Sequence, residues 1–117
     1  MAVSREFRDF IMEQLEGLGR ITPRPMFGGV GLYCDGLFFA LLAEDQLFLK
    51  TDGQTQTAFA DAGCEPFRPF GGDKPMSYWS APLEALEDPD SLDRWARLAL
   101  AAALRARSGK ARARARP

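Results

Sequence analysis

A chain of 117 residues, 46% apolar, 26% charged and with a formal charge of −1, has the makeup of one globular domain, which buries roughly 65% of its extended surface, and not of a disordered or fibrous chain. The complete lack of histidine removes Ser-His and Cys-His nucleophile pairs and most transition-metal sites. The net charge hides an imbalance: residues 1–104 hold 9 basic and 16 acidic side chains and residues 105–117 hold 6 basic and none acidic, so an acidic body, ill suited to a broad nucleic-acid face, ends in a basic tail.

In chain order, Ser4 is placed to cap a helix in which Phe7, Phe10, Ile11, Leu15 and Leu18 recur at helical spacing, ending around Gly17 or Gly19. Pro23 and Pro25 bracket Arg24 and remove two backbone donors, which fits an edge strand or an extended lead-in. Val30, Leu32 and Cys34 alternate as a strand, and Asp35-Gly36 supplies the positive φ of a tight hairpin. The next strand, Leu37 to Ala43, is apolar on both faces, with strict alternation placing Leu37, Phe39 and Leu41 on one and Phe38, Ala40 and Leu42 on the other. Glu44-Asp45 makes a second turn, and Gln46 to Lys50 completes a three-stranded antiparallel meander.

Asp52 can cap a helix over 53–62 that Gly63 stops. Strands are expected at Pro66–Phe70 and Met76–Ser80, joined by a Gly71-Gly72-Asp73 loop, then a short helical turn after Pro82. Asp88-Pro89 opens a long helix through Leu92, Trp95, Leu98, Ala99 and Ala102 that fades near Ser108-Gly109. The order is α-β-β-β-α-β-β-α: an α+β fold, with residues 1–104 as the folded domain and 105–117 as a disordered Arg/Ala tail. Apolar runs reach about seven residues, far short of the roughly 20 that cross a bilayer, and MAVSREFRDF has no signal-peptide pattern. A cytoplasmic protein without membrane contact is the expectation, with Cys34 and Cys64 as reduced, partly buried thiols.

Gly28-Gly29-x-Gly31 matches neither a Walker loop nor a dinucleotide fingerprint, and a strand, not a helix, follows it. A bend where another backbone approaches closely is the better reading. The carboxylates Asp35, Glu44, Asp45 and Asp52 fall at turns and caps, so no acid/base pair, no catalytic residue, no cofactor and no metal site is expected. Because the central strand is apolar on both faces, the second face needs a cover: the long C-terminal helix, a bound peptide, or the same face of a second copy as a homodimer. Arg24, Lys50, Tyr78 and Trp79, the last two on opposite faces, are the candidate binding residues around that surface, together with Phe27.

Several words of the sequence resemble the N-terminal domain of the TfoX (Sxy-like) family of competence regulators: Arg24-Pro-Met-Phe-Gly-Gly29, Gly36-Leu-Phe-Phe-Ala40, Leu47-Phe-Leu-Lys50, Ala58-Phe59 with Gly63 and Pro66-Phe67, Met76-Ser-Tyr-Trp79 and Trp95-Ala-Arg-Leu-Ala99. They run in order over residues 5–106. The resemblance implies a secretion-chaperone-like α+β fold, an antiparallel sheet covered by helices. It also implies a link to natural transformation, where full-length members act with the cyclic-AMP receptor protein at competence promoters and are not established base readers. Those regulators carry a second, helical C-terminal domain, and this chain is expected to be a single-domain member without it. Fold alone does not fix function.

The expectation is therefore a non-enzymatic regulatory adaptor that works through protein–protein contacts, with the transcription machinery as a partner class. Two other readings stay open. One is a small-molecule or anion-binding module built on Arg24 and Lys50. The other is weak, sequence-blind nucleic-acid binding by Arg105, Arg107, Lys110, Arg112, Arg114 and Arg116, which offer charge but no aromatic stacking partner.

Overall fold

Ser4 starts the fold as the sequence suggests: its hydroxyl accepts the Phe7 N–H at 3.1 Å and caps helix α1, Arg5–Gln14. A single 3-10 turn, Glu16–Leu18, and Gly19 at φ 144° then turn the chain into the sheet. The computed structural model describes residues 3–26, 28–68 and 77–115, with side chains through residue 109. Expectations for Phe27, for the 71–73 loop, for the inner ends of the two strands at 66–70 and 76–80, and for the side chains of Lys110, Arg112, Arg114 and Arg116 lie outside those residues.

Five antiparallel strands follow in simple spatial order: β1 Ile21–Met26, β2 Gly29–Cys34, β3 Leu37–Ala43, β4 Gln46–Lys50 and β5 Tyr78–Ser80. The segment with two prolines is a full six-residue strand at the sheet edge, where missing donors can face solvent. Asp35 and Gly36 both adopt positive φ, 50° and 84°, and close the β2–β3 hairpin. Glu44 and Asp45 do the same at 51° and 56° without a glycine. Asp45 also accepts the Ser4 N–H at 2.8 Å, pinning the start of α1 to the β3–β4 turn.

Between β2 and β3 the register slips: Leu32 faces Ala40 and Tyr33 faces Phe38, leaving Phe39 as an extra residue. This bulge corrects the strict alternation expected for β3. Phe39, Ala40 and Leu42 all join the inner core, whereas Phe38, Leu41 and Ala43 belong to the outer face.

Helix α2, Gln56–Asp61, ends at Gly63 with φ 81°, and the Cys64 N–H reaches back to the Phe59 carbonyl at 3.0 Å. The described part of the strand expected at 66–70 reduces to one bridge, Pro66 with Trp79, flanked by bonds from Phe67 N–H to the Tyr78 carbonyl and from Ser80 N–H to the Glu65 carbonyl. After a 3-10 turn, Leu83–Ala85, helix α3 runs from Pro89 to Ala115, well beyond Ser108-Gly109. The Arg/Ala stretch is rich in strong helix formers, and one glycine costs only about 1 kcal/mol.

Helix α3 crosses the inner face over β3 and β4. Ala96, Ala99 and Ala103, spaced at three and four residues, present a smooth stripe that lets the helix approach Leu42, Leu47 and Leu49 closely. Phe59 packs edge-on to Trp95 at 4.9 Å between ring centres.

The outer face forms a second cluster: Leu41, Ala43, Phe48 and Tyr78 are 5–8% exposed, with Phe38 and Phe67 packed on them. The excess apolar sheet surface expected from sequence is therefore largely covered within one chain. The cover is not α3, which lies on the inner face; among the described residues Phe67 contributes by packing its ring, tilted by 45°, against Phe48 at 4.7 Å between ring centres.

Candidate functional site

The part of the outer face that stays accessible is organised around one row of aromatic rings. Tyr33, two residues before the Asp35-Gly36 turn, is paired with Phe38 just after it, and their rings stack at 5.0 Å. Phe38 meets Tyr78 of β5 at 5.3 Å. Arg24 on β1 lies 5.2 Å from the Tyr33 ring centre, and Lys50 on β4 lies 5.1 Å from that of Tyr78. The result is a ladder of three rings with a cation at each end. Lys50 also donates to the Ser77 hydroxyl at 3.1 Å.

The glycines of the GGxG word make this arrangement sterically possible. A Cβ on Gly29 would stand 2.4 Å from the Leu42 carbonyl oxygen, so the β2 backbone presses directly on β3. A Cβ on Gly31 would meet the Met26 methyl at 2.7 Å and Phe38 at 3.1 Å. Gly31 is thus the gap into which Met26 and Phe38 lean. Both positions serve sheet packing.

Burial, reinforced by Tyr33, pushes the Tyr78 phenol up, so it stays neutral throughout the physiological range. Arg24 is exposed, Tyr33 and Phe38 are half-buried, and Tyr78 is buried. The arrangement can offer a flat aromatic and guanidinium surface to a partner. It does not bring Arg24 and Lys50 together, since three rings separate them and each cation rests on its own tyrosine.

Of the residues singled out by sequence, Arg24, Lys50 and Tyr78 share this face. Trp79 points the other way and packs half-buried against the inner core, as the period of a strand requires. Arg105, counted with the basic tail, is instead tied to the body: its Nε and Nη2 donate to Asp52 Oδ2 and Oδ1 at 2.6 and 3.0 Å. That fork holds the Asp52 carboxyl below the usual carboxylate range, helped by backbone bonds from Gln54 and Thr55. Arg105 is accordingly withdrawn from the nucleic-acid candidates. Arg107 is exposed and lines a shallow groove of about 260 Å³ with Cys34, Asp35, Leu37, Leu100, Ala101 and Leu104.

Sequence reasoning missed Tyr33 and Phe38. Their signal was present, because residues flanking a two-residue turn are cross-strand neighbours. Cys34 and Cys64 are both free thiols with pKa values raised chiefly by burial, which keeps them protonated and weakly nucleophilic at neutral pH.

The family profile for the TfoX N-terminal domain matches residues 13–103. A relative, the DNA transformation protein TfoX1 of Aliivibrio fischeri (strain ATCC 700601 / ES114), is 39% identical over 51 residues, which is 44% of this chain but 24% of that protein's length. The match to that relative therefore spans a minor part of it. The profile match covers most of this chain, and the chain belongs to the TfoX N-terminal domain family.

Proposed function

We propose that this protein is a non-enzymatic regulatory adaptor linked to DNA competence, which acts by docking onto a protein of the transcription machinery. The observation that carries the reading is the family match over residues 13–103, together with the similarity to TfoX1, a DNA transformation protein. The accessible edge of the outer face supplies a docking surface of suitable chemistry. Arg24, Tyr33 and Phe38 combine a guanidinium with two half-buried rings, and aromatic and arginine side chains dominate the energetic centres of protein interfaces.

Docking by strand addition is disfavoured at this edge. Pro23 and Pro25 remove donors from β1, and prolines at a sheet edge block pairing with another strand. Side-chain contact is the remaining mode. Placement in the cytoplasm follows from this function; no helix among the described residues is long and apolar enough to cross a membrane.

The test is affinity capture from the native cell with wild-type protein and with the double variant Arg24→Ala/Tyr33→Ala, checked for an unchanged denaturation midpoint. A regulatory protein recovered with the wild type and lost with the variant supports the reading. Equal recovery with both, or recovery of no regulatory protein, counts against it.

A further inference from the structure

Two of the exposed large apolar side chains sit at opposite ends of the molecule. Leu83, on the 3-10 turn that precedes α3, is 81% exposed, and Leu104, sixteen residues into α3 from Asp88, is 48% exposed. Leu83 lies beside Asp45 of the β3–β4 turn and Leu104 beside Asp35 and Leu37 of the β2–β3 turn, so the two flank opposite ends of β3 and do not meet within one chain. Their surroundings differ in shape and in charge. Leu83 protrudes with Glu84 next to it, beside a concavity that also carries Asp45 and Glu65. Leu104 instead borders the groove of about 260 Å³ whose apolar walls are Leu37, Leu100 and Leu104 and whose rim holds Asp35 and Arg107.

We propose that copies of this chain associate head to tail, with Leu83 of one copy seated in the groove formed by Leu37, Leu100 and Leu104 of the next, and Glu84 of the first against Arg107 of the second. The groove is large enough to hold a leucine side chain. The charge is complementary: Glu84, Asp45 and Glu65 stand around Leu83, whereas at the groove Arg107 offsets Asp35 and the helix that carries it continues through residues 106–115, a stretch with four basic residues and no acidic one. The contact leaves Arg24, Tyr33 and Phe38 uncovered, so it is independent of the adaptor face. Because knob and groove lie on different surfaces, the interface is heterologous: each copy that joins leaves a new knob and a new groove free, giving open chains or a closed ring.

The experiment is sedimentation of the full chain across a dilution series at low and high salt. The wild type is expected to gain mass with concentration, less so at high salt. Leu83→Asp, at a site too exposed to disturb folding, is expected to weaken association by about 10- to 100-fold. A second variant, Leu104→Asp/Arg107→Glu, spoils the groove. The decisive sample mixes the two variants. Each is a monomer alone, but one retains an intact groove and the other an intact knob, so the mixture stops at dimers. A wild type that stays monomeric throughout, a Leu83→Asp variant that associates like the wild type, or a mixture that stays monomeric would each overturn the proposal. Retention of the chain on duplex DNA without any self-association would also overturn it, and would assign the basic end to nucleic acid.

Discussion

Adding one methyl group at three glycines should give three different answers. At Gly29 the new Cβ would lie 2.4 Å from the Leu42 carbonyl oxygen, a backbone atom that cannot swing aside. Carbon and oxygen rarely approach closer than about 3 Å, so β2 and β3 must part by several tenths of an ångström where Val30 pairs with Leu42. Overpacking of that kind costs about 1–3 kcal/mol. At Gly31 the clash is with the end of the Met26 side chain, 2.7 Å away, which can adopt another rotamer, and with the Phe38 ring at 3.1 Å. The cost should fall to about 1 kcal/mol, at the low end of the same range. At Gly17 nothing lies within 4 Å and the residue sits in a 3-10 turn, so alanine should stabilise by about 0.4–1 kcal/mol through the unfolded chain. Urea denaturation with a common m-value measures all three. If Gly29→Ala proved no more destabilising than Gly17→Ala, the packing role assigned to the GGxG word would fail.

Three further outcomes are expected. The Asp52 carboxyl is held below its ordinary value by the Arg105 fork, so its contribution to stability is complete above the unfolded pKa of about 3.9 and is lost as pH falls through the lower folded value. Chemical denaturation at acid pH should therefore show a steeper loss for the wild type than for Arg105→Gln, and parallel curves would contradict the pairing. Phe59→Ala empties a fully buried site against Trp95 and should cost about 3–5 kcal/mol, read from the shift of the urea midpoint; a loss below about 1 kcal/mol would mean the contact is not part of the core. Cys34 and Cys64, buried and with raised pKa values, should react with a thiol reagent far more slowly in the native protein than after unfolding. Equal rates would show that the thiols are accessible.

Much of the fold is legible because the local signals agree with one another. Ser4 reads as a cap, Asp35-Gly36 as a hairpin turn and Gly63 as a helix stop, and each has the conformation its chemistry demands. The resemblance carried by the strand words likewise points to the family. What escapes a reading by period is the bulge at Phe39. An inserted residue in an all-apolar strand leaves no polar marker to show where the phase changes, so strict alternation puts Leu41 with Phe39 although it belongs with Phe38. The β1 strand was half legible, since prolines forbid a central strand yet permit an edge. Long-range pairing was not legible at all. Arg105 and Asp52 are 53 residues apart, and nothing in an Arg/Ala run marks which arginine turns back to the body.

The candidate face was legible in its ends and not in its middle. Arg24 and Lys50 stood out as cations beside apolar strands, and Tyr78 as a rim aromatic. Tyr33 and Phe38, which connect them, carry one cue in the sequence, their symmetric places on either side of the Asp35-Gly36 turn, and the contact with Tyr78 carries none. Register also settles why the outer face is less bare than its apolar content suggests: its rings lie against one another, and buried contact among side chains of one chain takes the place of a partner.

The most direct measurement is transformation frequency in a strain that lacks this gene and is complemented with either wild-type protein or Arg24→Ala/Tyr33→Ala at matched levels. A competence-linked adaptor predicts that deletion changes the frequency, that the wild type restores it, and that the folded variant does not. A frequency indifferent to the deletion would contradict the account.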